Sequence, residues 1–110
     1  MKPALFHPKA RDAIRDFPEN VRREFGKVIF DLQKGAKLAM PLSRPISSIA
    51  SGVEELRVRV RSGAYRVFYY TKLADSVVIF HAFVKKSQKT PPHEIALAQK
   101  RLKEMLDEES

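Results

Sequence analysis

Cysteine is absent from this chain, and glycine occurs only four times in 110 residues. The first absence removes disulfides, thiolate zinc sites and cysteine nucleophiles together. The second leaves no glycine-rich loop to cradle a nucleotide phosphate. Long apolar runs are missing too. None approaches the ~18 residues that a membrane span needs, so no membrane partner is expected. Residues 1–10 have no apolar run behind Lys2 and carry Pro3 and Pro8. They do not read as a secretory signal, and the cytoplasm is the expected compartment.

Acidic residues are scarce where basic ones are dense. Lys and Arg number 21, Asp and Glu 13, a net of +8. Residues 1–43 hold nine basic and five acidic side chains, residues 44–89 hold nine and three, and residues 90–110 hold three and five. The positive excess is therefore greatest in the middle and reverses at the end. A basic patch on a small domain favours a polyanionic partner, with nucleic acid ahead of an acidic protein or a membrane surface. Apolar residues make up 44% of the chain, enough for an ordinary core, and the length suits one domain over 1–110.

Periodicity places the elements. Residues 4–7 read as a short strand or arm. Ala10, Ala13, Ile14 and Phe17 recur at helical spacing before Pro18. Val21, Phe25, Val28, Ile29 and Leu32 form a second stripe, with Gly35 as its cap. Residues 36–51, with Pro41 and Pro45, read as a connecting loop. Three strands are predicted next, over 54–61, 65–71 and 77–84, with Ser62-Gly63 as the first turn. The first alternates cleanly: Leu56, Val58 and Val60 on one face, Glu55, Arg57, Arg59 and Arg61 on the other. The third is nearly all apolar, as a strand covered on both faces would be. Ile95, Ala98, Leu102 and Met105 mark a final helix. The predicted class is α+β. An N-terminal helical hairpin packs on a small antiparallel meander followed by a C-terminal helix, with the helices on one sheet face.

The strands bring cations together. Three adjacent arginines cannot be buried without partners, so their face meets solvent, carboxylates or a polyanion. Arg66 follows on the next strand, where Glu55 could pair with it. Lys85, Lys86, Lys89 and Thr90 lie at and beyond the end of the third. A two-metal nuclease lacks its carboxylates here, and His7, His81 and His93 are scattered. No metal and no cofactor is expected. A nucleophile elbow is also missing. Metal-free RNA cleavage remains, in which the substrate's own 2′-hydroxyl attacks and the protein supplies a base, an acid and positive charge. Each candidate also has a plain structural reading. The arginines fit the wet side of a strand, the lysines a solvated run, the aromatic residues core packing, and His81 a satisfied core histidine.

Glu55-Leu56-Arg57, Tyr65-Arg66-Val67 and the block from His81 through Phe83, Lys85, Lys86, Ser87, Gln88, Lys89 and Thr90 to Pro91, with Glu94, Ile95 and Ala98 beyond, resemble the phage-derived HigB-type toxins of the RelE superfamily. The resemblance implies a toxin of a bacterial toxin–antitoxin pair. Such a toxin enters the ribosome, cleaves mRNA and is held inactive by an antitoxin, here expected to be a helix-turn-helix protein. By position it implies Arg57 and Arg59 as the basic pair before the turn, Arg66 as the arginine of the second strand, and Lys86 or Lys85 as the cation ending the third. Arg66 and Lys86 would hold the scissile phosphate. Arg57, Arg59, Arg61, Lys89 and Thr90 would bind RNA, and Glu55 or a lysine would be the base. Such toxins often have a late tyrosine or histidine; here no tyrosine follows Tyr70, the nearest late candidates are Thr90 and His93, and the general acid is unassigned. Competing expectations are a ParE-like gyrase inhibitor, a non-catalytic RNA- or ribosome-binding module, and an inactive remnant.

Overall fold

The computed structural model describes residues 1–86 and 89–109. Eight elements follow one another: β1 (Ala4–Phe6), α1 (Pro8–Arg15), α2 (Glu19–Gln33), β2 (Ser43–Pro45), β3 (Val53–Val60), β4 (Gly63–Tyr70), β5 (Val77–Lys85) and α3 (Pro92–Glu109). The fold is α+β, with the helical hairpin, the meander and the C-terminal helix in the predicted order.

Proline and glycine set the helix ends. Pro8 sits in the first turn of α1, where its missing N–H costs nothing. His7 caps that helix, its Nδ1 accepting from Lys9 N at 3.2 Å. The Pro18 carbonyl accepts from Arg22 N at 2.9 Å, so α2 starts directly behind the proline. Gly35 ends α2 at φ 95°. Its N–H bonds Leu32 O and the Ala36 N–H bonds Asp31 O, both at 3.0 Å, satisfying carbonyls the helix leaves open.

The sheet order is β1-β5-β4-β3-β2. The antiparallel meander forms its centre, and two three-residue strands extend it. β1 lies parallel to β5, and β2 lies antiparallel to β3 within the stretch predicted as loop. The sheet is therefore mixed. The β3–β4 turn falls one residue earlier than predicted, at Arg61-Ser62, because Val60 pairs with Gly63.

Helices cover both faces, where one covered face was predicted. Val21, Phe25, Val28 and Ile29 of α2 pack on Leu56, Val58, Val67 and Ile79. On the opposite face, Ala98, Leu102 and Met105 of α3 pack on Phe68, Val78, Phe80 and Phe83. Each large apolar side chain so buried contributes about 1.5–3 kcal/mol, which is why the largely apolar β5 lies between the two layers.

A β-bulge in β5 decides what each layer receives. Tyr69 pairs with Ile79 and Phe68 with His81, leaving Phe80 as the extra residue. The alternation of β5 therefore flips at Phe80. His81, opposite Phe68, and Lys85, two positions beyond Phe83, share the α3 side with Arg66. Without the bulge both would face α1 and α2.

Candidate functional site

Strand pairing assembles the cations. Arg57 stands directly opposite Arg66, and Ala64 is flanked by Arg59 on β3 and Lys85 on β5. The small Ala64 leaves low ground between those two long cations. The result is an open groove of about 550 Å³, lined by Arg57, Arg59, Arg61, Arg66, Lys85 and Lys86, with Val60, Gly63 and Ala64 forming the rest of its wall.

Two arginines directly opposite each other repel unless a counter-charge intervenes. Glu55 is that counter-charge. Its side chain is only 1% exposed, and its Oε1 lies 3.5 Å from Arg66 Nε and 4.0 Å from Arg57 Nε. Arg66 is buried as well, and its Nη1 donates to Tyr65 O at 3.5 Å. The pairing is incomplete: Glu55 Oε2 and Arg66 Nε have no hydrogen-bond partner among the described residues. Burial lowers the Arg66 pKa, Glu55 opposes that shift, and Arg57, Arg44 and Arg59 add to it. Arg66 nevertheless remains a cation, since guanidinium groups do not deprotonate in proteins.

Lys85 responds more usefully. Burial lowers its pKa, Glu55 raises it, and Arg66, Arg44 and Arg57 lower it further. A lysine so placed spends more of its time neutral than a solvated one does. Arg44, which sequence reasoning missed, stands opposite Glu55 on β2. Nothing in the sequence marked it, because the loop around it showed no strand period.

Of the residues singled out, the fold gathers Arg57, Arg59, Arg61, Arg66, Lys85 and Lys86 around the groove, with Glu55 beneath. Lys89 and Thr90 lie between β5 and α3 and are not among the residues lining it. Ser87 and Gln88 of the resemblance block lie outside the described residues. No cluster of three or more His, Asp or Glu able to hold a metal ion occurs among the described residues.

Against the families of known proteins, residues 12–103 match the model described as "Phage derived protein Gp49-like (DUF891)". The chain belongs to that family. The match runs from α1 nearly to the end of α3 and takes in every residue of the groove. No curated protein matches the chain. Membership of the Gp49-like family is consistent with a toxin of a toxin–antitoxin pair.

A second polar cluster lies on the α3 side of this Gp49-like fold. His81 is 1% exposed. Arg101 Nη1 donates to its Nδ1 at 2.8 Å, and a guanidinium has no acceptor to offer. Nε2 therefore carries the proton and donates to Glu94 Oε1 at 2.6 Å. Burial lowers the His81 pKa, the Glu94 bond raises it, and Arg101 lowers it. The imidazole is a neutral clasp between β5 and α3, held away from the groove. No described helix is long and apolar enough to cross a membrane.

Proposed function

We propose that this chain is the toxin of a toxin–antitoxin pair, and that it cleaves mRNA on the ribosome without a metal ion. The observation that supports this most is the groove: six cations ring one opening, and one of them, Arg66, is held from beneath by the buried Glu55. An anionic substrate with developing phosphoryl charge fits such a ring.

On this reading Arg66 and Lys86 hold the non-bridging oxygens of the scissile phosphate. Arg57, Arg59 and Arg61 take neighbouring phosphates. Lys85, with its lowered pKa, accepts the proton of the 2′-hydroxyl. The 2′-oxygen attacks phosphorus and the bond to the 5′-oxygen breaks. A 2′,3′-cyclic phosphate and a 5′-hydroxyl remain, the latter protonated by the ammonium of Lys86. Glu55, sealed beneath the arginines, is a positioning residue for Arg66 rather than the base. Ribosome and mRNA are the proposed targets, a helix-turn-helix protein the proposed antitoxin, and the cytoplasm the site of action. The whole of 1–110 acts as one toxin domain.

The test is a translating extract charged with one defined mRNA, in which new 5′ ends are mapped. Codon-phased cuts that need ribosomes, and that vanish with Arg66→Ala and with Lys85→Ala, are expected. Intact mRNA with inhibited DNA supercoiling would identify a gyrase inhibitor instead. Intact mRNA with tight RNA binding would identify a binding module.

A further inference from the structure

The outer edge of β3 is only half covered. β2 pairs with Glu54, Glu55 and Leu56, and the last backbone bond along that edge runs from Arg57 N to Leu42 O at 3.0 Å. Pro41 precedes Leu42 and has no N–H to continue the ladder. The direction of backbone bonding alternates along a strand. Arg59 therefore presents its N–H and C=O to the same side as Arg57, and no backbone partner takes them among the described residues. Arg57 C=O and Arg61 N–H flank them. An open edge of this kind is a template for another strand.

What would cover it follows from the two sides of the edge. One side carries a groove of about 330 Å³ lined by Pro41, Leu42, Arg57, Arg59 and Arg66. The other carries a groove of about 420 Å³ lined by Asn20, Glu24, Leu42, Val58 and Val60, with Arg57 and Arg59 on the strand edge that both grooves share. An added strand sends alternate side chains into alternate grooves. Acidic side chains suit the arginine side. Apolar ones suit the valine side, where Glu24 on the rim repels acidic ones. We propose that the open edge of β3 binds an extended protein segment of alternating acidic and apolar residues by strand addition. Such a segment covers Arg57 and Arg59. If the groove is the RNA site, the segment also closes it, but the binding itself does not depend on that reading.

A blocked peptide of six alternating glutamates and valines is the probe, titrated against the full chain. Two versions carry N-methyl groups on alternate amides, one set facing β3 and the other facing away. Methylation of the amides facing β3 is expected to weaken binding about tenfold or more, the loss of one to two hydrogen bonds. Methylation of the other set should leave affinity unchanged. Exchange of the Arg59 amide proton should slow when the unmodified peptide binds. Equal affinities for the two methylated peptides would show ionic adhesion to the arginines and overturn the proposal. So would failure of the peptide to bind, or protection of the Arg59 amide by an RNA oligonucleotide in its place. A chain that cleaves no RNA in the extract would leave this measurement untouched.

Discussion

Glu55 Oε1 lies 3.5 Å from Arg66 Nε; both side chains are buried, Arg66 lining the cationic groove and Glu55 beneath it. This pair lets two arginines face each other across β3 and β4. Removing one partner of a buried pair leaves the other charge uncompensated, at a cost of about 3–5 kcal/mol. Glu55→Gln should lower the unfolding free energy by an amount of that order in urea titration. Glu55→Leu combined with Arg66→Met should cost less than either single change, since it leaves no orphan charge. Additive losses in the double variant would show that the two side chains do not act as a pair.

On the proposed mechanism, Lys85 as the base sets a pH dependence for cleavage. The base must be neutral to accept a proton, so the rate rises with pH until Lys85 has lost its own. Burial and the nearby arginines move that limb below the ordinary lysine range, and Glu55 holds it up. Glu55→Gln should therefore shift the limb to lower pH. Lys85→Arg should abolish it and slow cleavage by about 10²–10⁴-fold, the usual contribution of a positioned base. A pH–rate profile unchanged in Lys85→Arg would remove Lys85 from the chemistry.

The period-two run from Glu55 to Arg61 made β3 and its arginine face legible, because alternation states which side chains share a face. The helical stripes of α2 and α3 were equally legible. β1 was legible as a short strand or arm over residues 4–7, but β2 was not, since its three residues hold no period. The nearly all-apolar run of β5 carried no alternation, so neither the Phe80 bulge nor the face of Lys85 could be read. The bulge also hid the clasp on His81. Glu94 and Arg101 are seven residues apart on α3, a spacing that puts them on one helix face, but nothing in the sequence tied that face to His81. The Glu55–Arg66 pair was anticipated from residue type, whereas the burial of both side chains was not.

The clasp makes stability sensitive to mild acid. His81 is held neutral, with its pKa below the ordinary 6.5, chiefly by burial and further by Arg101. The unfolded chain takes up a proton near pH 6.5 while the folded chain resists it until lower pH. Stability should therefore fall as pH drops from about 6.5 towards the folded value of His81. His7, also lowered by burial and by Arg101, adds to the same slope. His81→Gln should be less stable at pH 7.5 and should show a shallower loss between pH 6.5 and 5, read by urea midpoints across that range. An unaltered slope in His81→Gln would place the acid sensitivity elsewhere.

On the proposed function, salt should weaken RNA binding steeply, and the steepness counts the arginines. Each phosphate neutralised on a single strand contributes about 0.7 to the slope of log affinity against log salt. Arg57 and Arg59 both line the groove and are more open to solvent than Arg66. In the proposed reading each meets one neighbouring phosphate. Arg57→Ala and Arg59→Ala should each reduce the slope by about 0.7 and weaken binding on every sequence alike, because phosphate contacts carry no base information. Arg66→Ala should behave differently. It leaves Glu55 as a buried charge beneath the groove, so affinity should fall by more than one phosphate contact explains, with a loss of stability beside it. The measurement is a set of binding isotherms from 50 to 300 mM salt with an uncleavable 2′-deoxy analogue at the scissile position. Slopes identical to the parent in Arg57→Ala and Arg59→Ala would mean that nucleic acid does not lie along β3.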